Sequence, residues 1–236
     1  MEPTPVPPSP DARTLRRLRL GVGGLGITLP IVLPVGHALA TDRLHLLNSM
    51  SSYYHSEMRD VFVGSLCAIG VFLINYRYRR LDDVLSTTAG GLAVVVALVP
   101  TTTDAPPHAL ADGALPLGRV HGVAAGLLFA ILALFCLWRF PVNGPPPPGT
   151  RARNVVYRTC GFVILAAIVL AVASSALAEP ARDTFRPVFW CEAVAVFAFG
   201  VAWLVKGEAM FHQSPEPVGA PVPRAAPADR PAASTP

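Results

Sequence analysis

Six long apolar runs, at roughly residues 20–40, 60–76, 84–100, 119–138, 157–178 and 187–205, constrain this chain more than anything else in it. Each approaches the ~20 residues an α-helix needs to cross about 30 Å of hydrocarbon. Backbone polar groups inside a bilayer must find partners within the chain, which favours helices for unbroken runs of this kind. The expectation is an all-α, polytopic membrane bundle of six transmembrane helices. Composition agrees: 52% of residues are hydrophobic and 14% charged, where a soluble domain carries about 25% charged residues. The mean hydropathy is +0.47.

The basic residues alternate between the segments that join the runs. Fourteen fall in the first arm, the loops after runs two and four, and the tail; five fall in the remaining loops. The positive-inside rule then places both termini in the cytoplasm, in keeping with an even number of spans. A net charge of +4 is too small to argue for nucleic acid. Lys206 is the single lysine; with abundant Ala, Pro and Val this suggests a GC-rich bacterial source. The composition points to a multi-pass protein of the cell membrane in contact with lipids.

Three divisions are expected. Residues 1–19 form a disordered basic arm, 20–206 the six-helix domain, and 207–236 a disordered tail rich in Pro and Ala. Asn143-Gly-Pro-Pro-Pro-Pro-Gly149 reads as a stiff polyproline spacer between spans four and five. Arg13–Arg19, the first apolar run and Ala38-Leu39-Ala40 also fit a signal peptide with a small-residue cleavage site. Pro30, Pro34 and the length of the run favour a retained helix; cleavage would leave five spans.

The candidate site starts at residues 49–60, where Ser-Met-Ser-Ser-Tyr-Tyr-His-Ser-Glu-Met-Arg-Asp runs straight into span two. Arg59 and Asp60 sit at the mouth of that span, where charges need partners. His37, His45, His55, His108 and His121 all fall on the outer side by the charge rule, and His212 does not. Glu192 lies five residues into the last span, about 7 Å deep. The expectation is that Arg59, Arg119 or His121 neutralises it. Ser52, Tyr53, Arg59, Asp60, His121 and Glu192 are thus the candidate outward-facing polar pocket, with a structural ion-pair cluster as the plainer account. A lipid headgroup or a partner is the expected occupant.

Gly118, Gly122 and Gly126 make two overlapping GxxxG steps on span four, a pattern that lets helix backbones approach closely, within the chain or in a homo-oligomer. Tyr76-Arg-Tyr-Arg-Arg80, Trp138 and Trp203 read as interfacial anchors on the cytoplasmic side, with Asp82 and Asp83 pairing to arginines of neighbouring loops. Cys67, Cys136, Cys160 and Cys191 lie in apolar runs and read as small core residues rather than a disulfide framework. There is no Walker A loop, HExxH, GxSxG or CxxCH, and no cofactor is implied.

Ser-Tyr-Tyr-His-x3-Arg-Asp-Val-Phe-Val-Gly from residue 52, Ala-Gly-Gly-Leu-Ala-Val-Val-Val-Ala-Leu-Val-Pro-Thr from residue 89, Val188-Phe-Trp-Cys-Glu192 and Trp203-Leu-Val-Lys-Gly-Glu208 resemble the bacterial domain-of-unknown-function 998 membrane proteins. The resemblance covers most of the chain between the tails. It implies an integral membrane protein and supplies no activity. A second resemblance is to the CREST membrane hydrolases, which hold zinc with three histidines; Ser51-x3-His55 has the spacing of their first motif. It implies the alternative of a metal-dependent lipid hydrolase at the outer leaflet, with His37, His55 and His121 as the ligand trio. The chain has no HxxxH, its Asp falls at a different distance, and six spans stand in place of seven.

Overall fold

The computed structural model describes residues 10–76, 80–102, 114–141 and 150–209, and every regular element among them is helical. Helix α1 is Pro10–Thr41, α2 is Arg59–Ile74, α3 is Arg80–Leu98, and α4 is Ala114–Leu134, continued by a π turn at Phe135–Arg139. Helix α5 is Thr150–Ala173, α6 is the short Glu179–Phe185, and α7 is Pro187–Ala209. Five segments are long and apolar enough to cross a membrane: Arg13–Thr41, Arg80–Leu98, Leu115–Arg139, Thr150–Ala176 and Pro187–Gly207. Helix α2 has 16 residues; at 1.5 Å per residue it is about 24 Å long.

The six long helices form a closed ring. Helix α1 packs on α2, α2 on α3, α3 on α4, α4 on α5, α5 on α7, and α7 back on α1. Two seams are drawn tight by glycine. A Cβ on Gly90 would lie 2.5 Å from the Gly70 carbonyl oxygen, and one on Gly200 would lie 2.8 Å from that of Gly23. The backbones of α2 and α3, and of α1 and α7, therefore touch where no larger residue fits. Neither seam was expected from the sequence.

The ring has two unlike ends. One gathers the first turns of α1, α3 and α5 with the last turns of α2, α4 and α7. There Arg19 Nη2 donates to Tyr76 Oη at 2.7 Å, Lys206 Nζ to the Phe140 carbonyl at 3.0 Å, and Arg139 Nε to Asp82 Oδ1. Asp82 pairs with an arginine as expected, though Arg139 belongs to the π turn that continues α4 and not to a loop. We call this the arginine end, and the opposite one the histidine end.

Several expectations need correction here. The basic arm was expected to be disordered to residue 19, but α1 already starts at Pro10. The reason is at Leu15 and Arg19: Leu15 packs against the core and Arg19 is 1% exposed, so the arm carries an inward face. Trp203 and Tyr76 are not interfacial anchors. Both are buried, with ring centroids 5.1 Å apart in an edge-on contact. Trp138 is exposed, as an anchor should be. All four cysteines are free, with Cys136 and Cys160 buried. Residues 1–9, 77–79, 103–113, 142–149 and 210–236 lie outside the described residues, and with them most of the expected tail and the polyproline spacer.

Candidate functional site

At the histidine end the segment after α1 folds back over the ring. Asp42 turns the chain with φ 52°, a conformation that short polar side chains tolerate. Residues 51–55 then form a single 3₁₀ turn. The segment is tied to the first turns of α7 twice. Phe189 N donates to the Asn48 carbonyl at 3.1 Å, and Glu192 Oε2 accepts from Met50 N at 2.7 Å and from Ser51 N at 3.4 Å. Ser49 Oγ lies 2.8 Å from Ser52 Oγ and accepts from Ser52 N at 2.9 Å, which closes the turn.

The neutralisation expected for Glu192 therefore takes another form. Two backbone amides, not Arg59, Arg119 or His121, meet its carboxylate. An amide pair at the start of a 3₁₀ turn is an unsatisfied donor set that a carboxylate caps well. Arg59 is exposed; its Nη2 donates to Tyr54 Oη at 2.9 Å, and its guanidinium stacks over the Tyr54 ring at 4.6 Å. Asp60 and Arg119 are exposed as well. Tyr53 is fully buried between the His37 ring, 5.7 Å away edge-on, and Phe189; burial pushes its phenol pKa up.

The histidines keep separate partners. His37 Nδ1 lies 3.0 Å from Glu57 Oε2. His55 Nε2 donates to the Thr101 carbonyl at 2.8 Å, and His121 Nδ1 to the Val99 carbonyl at 2.7 Å. Among the described residues no three His, Cys, Asp or Glu side chains are placed to hold a metal, so the trio His37, His55 and His121 does not assemble. His108 lies outside the described residues.

What the fold does bring together is His121 and Glu192. Both line a cavity of about 230 Å³ between α4, α5 and α7. Its outer wall is polar: Ser49, Ser51, Thr101, His121 and Glu192. Its inner wall is apolar: Ala125, Phe129, Ala167, Ile168 and Ala195 among others. A narrower apolar cleft of about 50 Å³ continues inward past Glu192 toward Leu66 and Phe199. Outward, Ser49, Thr101 and Val188 are shared with a polar recess of about 410 Å³ that also holds Ser52, Arg182 and Asp183.

The glycine row has a different use from the one expected. Gly118 does make a close contact, its added Cβ falling 2.3 Å from Thr102 Cγ2. Around Gly122 and Gly126 an added Cβ meets nothing within 4 Å, and both line the cavity. Within the chain, these two small residues leave a space and bring no second helix close. Of the six expected pocket residues, two line the cavity, Ser52 lines the recess, Tyr53 packs beneath the turn, and Arg59 and Asp60 stay outside. Ser49, Ser51 and Thr101 were missed. The signal for the first two was present in the polar run, but the choice between Ser51 and Ser52 depends on the phase of the 3₁₀ turn.

No family model, no curated protein and no solved structure matches the chain.

Proposed function

We propose that this chain is a multi-pass protein of a bacterial cell membrane whose histidine end faces outward and whose cavity holds a lipid-like amphipathic molecule. The head group lies among Ser49, Ser51, Thr101, His121 and Glu192, and the alkyl part along the apolar wall. The observation that carries this reading is the grading of a single cavity from polar to apolar along the helix direction. Walls of this kind, with a few polar groups at one end, suit an amphiphile. Helix α2 makes the sixth crossing in this reading. Its start lies with the end of α1, where His37 meets Glu57; its end lies with the start of α1, where Tyr76 meets Arg19. A slightly short helix is accommodated by local thinning of the bilayer. The charge bias of the loops supports cytoplasmic termini, and the residue likeness supports kinship with the domain-of-unknown-function 998 proteins. Gly122 and Gly126 serve the ligand in this account rather than a second subunit.

The test is lipid retention. The protein is purified in mild detergent and its bound lipids are counted by native mass spectrometry, beside the variant Gly126→Leu. The leucine fills space that is open around Gly126, so the variant is expected to fold normally and to lose at least nine-tenths of the retained lipid. Equal retention by a folded variant overturns the reading. Orientation is checked separately: His45→Cys, at an exposed position, should react with a membrane-impermeant maleimide on intact cells.

A further inference from the structure

Two side chains of the cavity's polar wall, His121 and Glu192, present acceptors to it. His121 is 3% exposed. Its Nδ1 faces the Val99 carbonyl, and a carbonyl only accepts, so the proton sits on Nδ1. In the neutral ring Nε2 is then a bare lone pair. This atom is buried and has no hydrogen-bond partner, while the ring lines the cavity. Native structures rarely leave such an atom unmatched without a reason.

Glu192 adds to the same bias. Its Oε2 takes both amides, from Met50 and Ser51, and no hydrogen bond from a described residue reaches Oε1. Among the described residues no Arg or Lys lines the cavity. The basic side chain in the recess above, Arg182, is 3.8 Å from Glu179 and shares that recess with Asp183. A phosphate or carboxylate seated beside Glu192 would thus be a second acidic group in a largely apolar space with no basic side chain lining it, where an unpaired ion is strongly disfavoured.

We infer that the occupant presents a hydrogen-bond-donating head group without negative charge, a hydroxyl or a primary ammonium, to His121 Nε2 and Glu192. This rests on the cavity being an amphiphile site. It adds what the apolar wall cannot say, namely which lipids are refused. The serine and threonine hydroxyls of Ser49, Ser51 and Thr101 can turn to donate or accept, so they tolerate either head. The discrimination therefore belongs to His121 and Glu192.

The experiment uses the full chain in lipid nanodiscs. Three radiolabelled probes with twelve-carbon chains are compared by equilibrium dialysis against empty nanodiscs: dodecylamine, monododecanoylglycerol and dodecyl phosphate. The amine, the glycerol ester or both should bind at least tenfold more tightly than the phosphate, about the effect of one good hydrogen bond to a charged group. Which of the two wins tells ammonium from hydroxyl. His121→Asn keeps a donor for Val99 and removes the acceptor at Nε2; it should weaken the preferred probe about fivefold to tenfold. Equal or tighter binding of the phosphate overturns the inference and leaves the amphiphile site standing. Unchanged binding in a folded His121→Asn variant overturns it as well. Failure of all three probes to exceed the blank overturns the amphiphile site itself.

Discussion

The arginine end and the histidine end are made by the same helices and differ in what stands inside the ring. At the arginine end large rings fill it. Trp203 is fully buried, with Tyr76, Phe140, Phe199 and Phe135 at centroid distances of 5.1, 5.4, 5.7 and 6.1 Å. Arg19 and Lys206 stack on the rims of this cluster, over Tyr76 and over Phe140 and Tyr157. At the histidine end the residues of α4, α5 and α7 that line the space include the small Gly122, Ala125, Gly126, Ala167, Ala171 and Ala195, and a cavity remains. One end holds the ring together; the other leaves room. If the cavity is the binding site proposed above, stability and binding occupy opposite halves of the bundle, and substitutions should separate them.

The largest separation is expected from aromatic truncation. Trp203→Ala removes the ring on which the arginine-end aromatics converge and should cost about 4 kcal/mol. Phe129→Ala only widens an existing cavity from a half-buried position and should cost about 1.5 kcal/mol. Unfolding in mixed micelles measures both. Equal losses would mean that the histidine end is as tightly built as the other, and the comparison would fail.

Charge removal follows. Asp82 is buried at 4% exposure against Arg139. Asp82→Asn strands the guanidinium and should destabilise by about 3 kcal/mol, while adding Arg139→Gln should recover most of that loss. The π turn at Phe135–Arg139 is where the Arg139 side chain meets α3. If the double variant is no better than the single one, the pair is incidental and the aromatics alone hold that end.

How much of this the sequence displayed depends on the kind of information each feature carries. The six long helices were legible because hydrophobic length is read along one dimension: each apolar run became a helix. Asp82 was legible because a buried acid beside basic loops has few partners to choose from. The glycine row was visible, and within the chain only Gly118 makes the close contact expected of it. Spacing tells which residues share a face and is silent on what stands opposite, and for Gly122 and Gly126 that is open space. The seam at Gly70–Gly90 pairs single glycines across helices, which leaves no repeat to detect, and at the other seam Gly23 and Gly26 of α1 both meet the lone Gly200 of α7. The partners of Glu192 were hidden for a deeper reason: backbone amides belong to every residue, so Met50 and Ser51 carry no mark of their role. Trp203 misled because an aromatic near the end of an apolar run looks interfacial, whichever face of the helix it occupies.

The two kinds of glycine give a sharper version of the comparison at smaller amplitude. Gly90→Ala would push a methyl into the Gly70 carbonyl and Ile74 and should cost about 2 kcal/mol. Gly126→Ala places the same methyl in open space, so the gain in helix propensity, about 0.5–1 kcal/mol, should appear as a stabilisation. Opposite signs for one chemical change would separate a glycine kept for packing from one kept for room.

The smallest effect is expected from pH, at the surface of the histidine end. The Glu57 carboxyl is held below its usual value of 4.5 by its own backbone N–H first and by the His37 ring second. A carboxylate whose pKa is lower folded than unfolded adds stability above the unfolded value. That contribution is lost as pH falls through the folded value, so the window lies below about 4.5. Glu57 is exposed, and solvent keeps the effect slight. The midpoint of thermal unfolding should therefore drop by a small increment as pH is lowered through that window. Glu57→Gln, which cannot titrate, should lose that increment, whereas Arg59→Gln, whose partner is the Tyr54 hydroxyl, should keep it. A drop of the same size in Glu57→Gln would move its source to another acid, and the link between α1 and α2 at His37 would then owe nothing to charge.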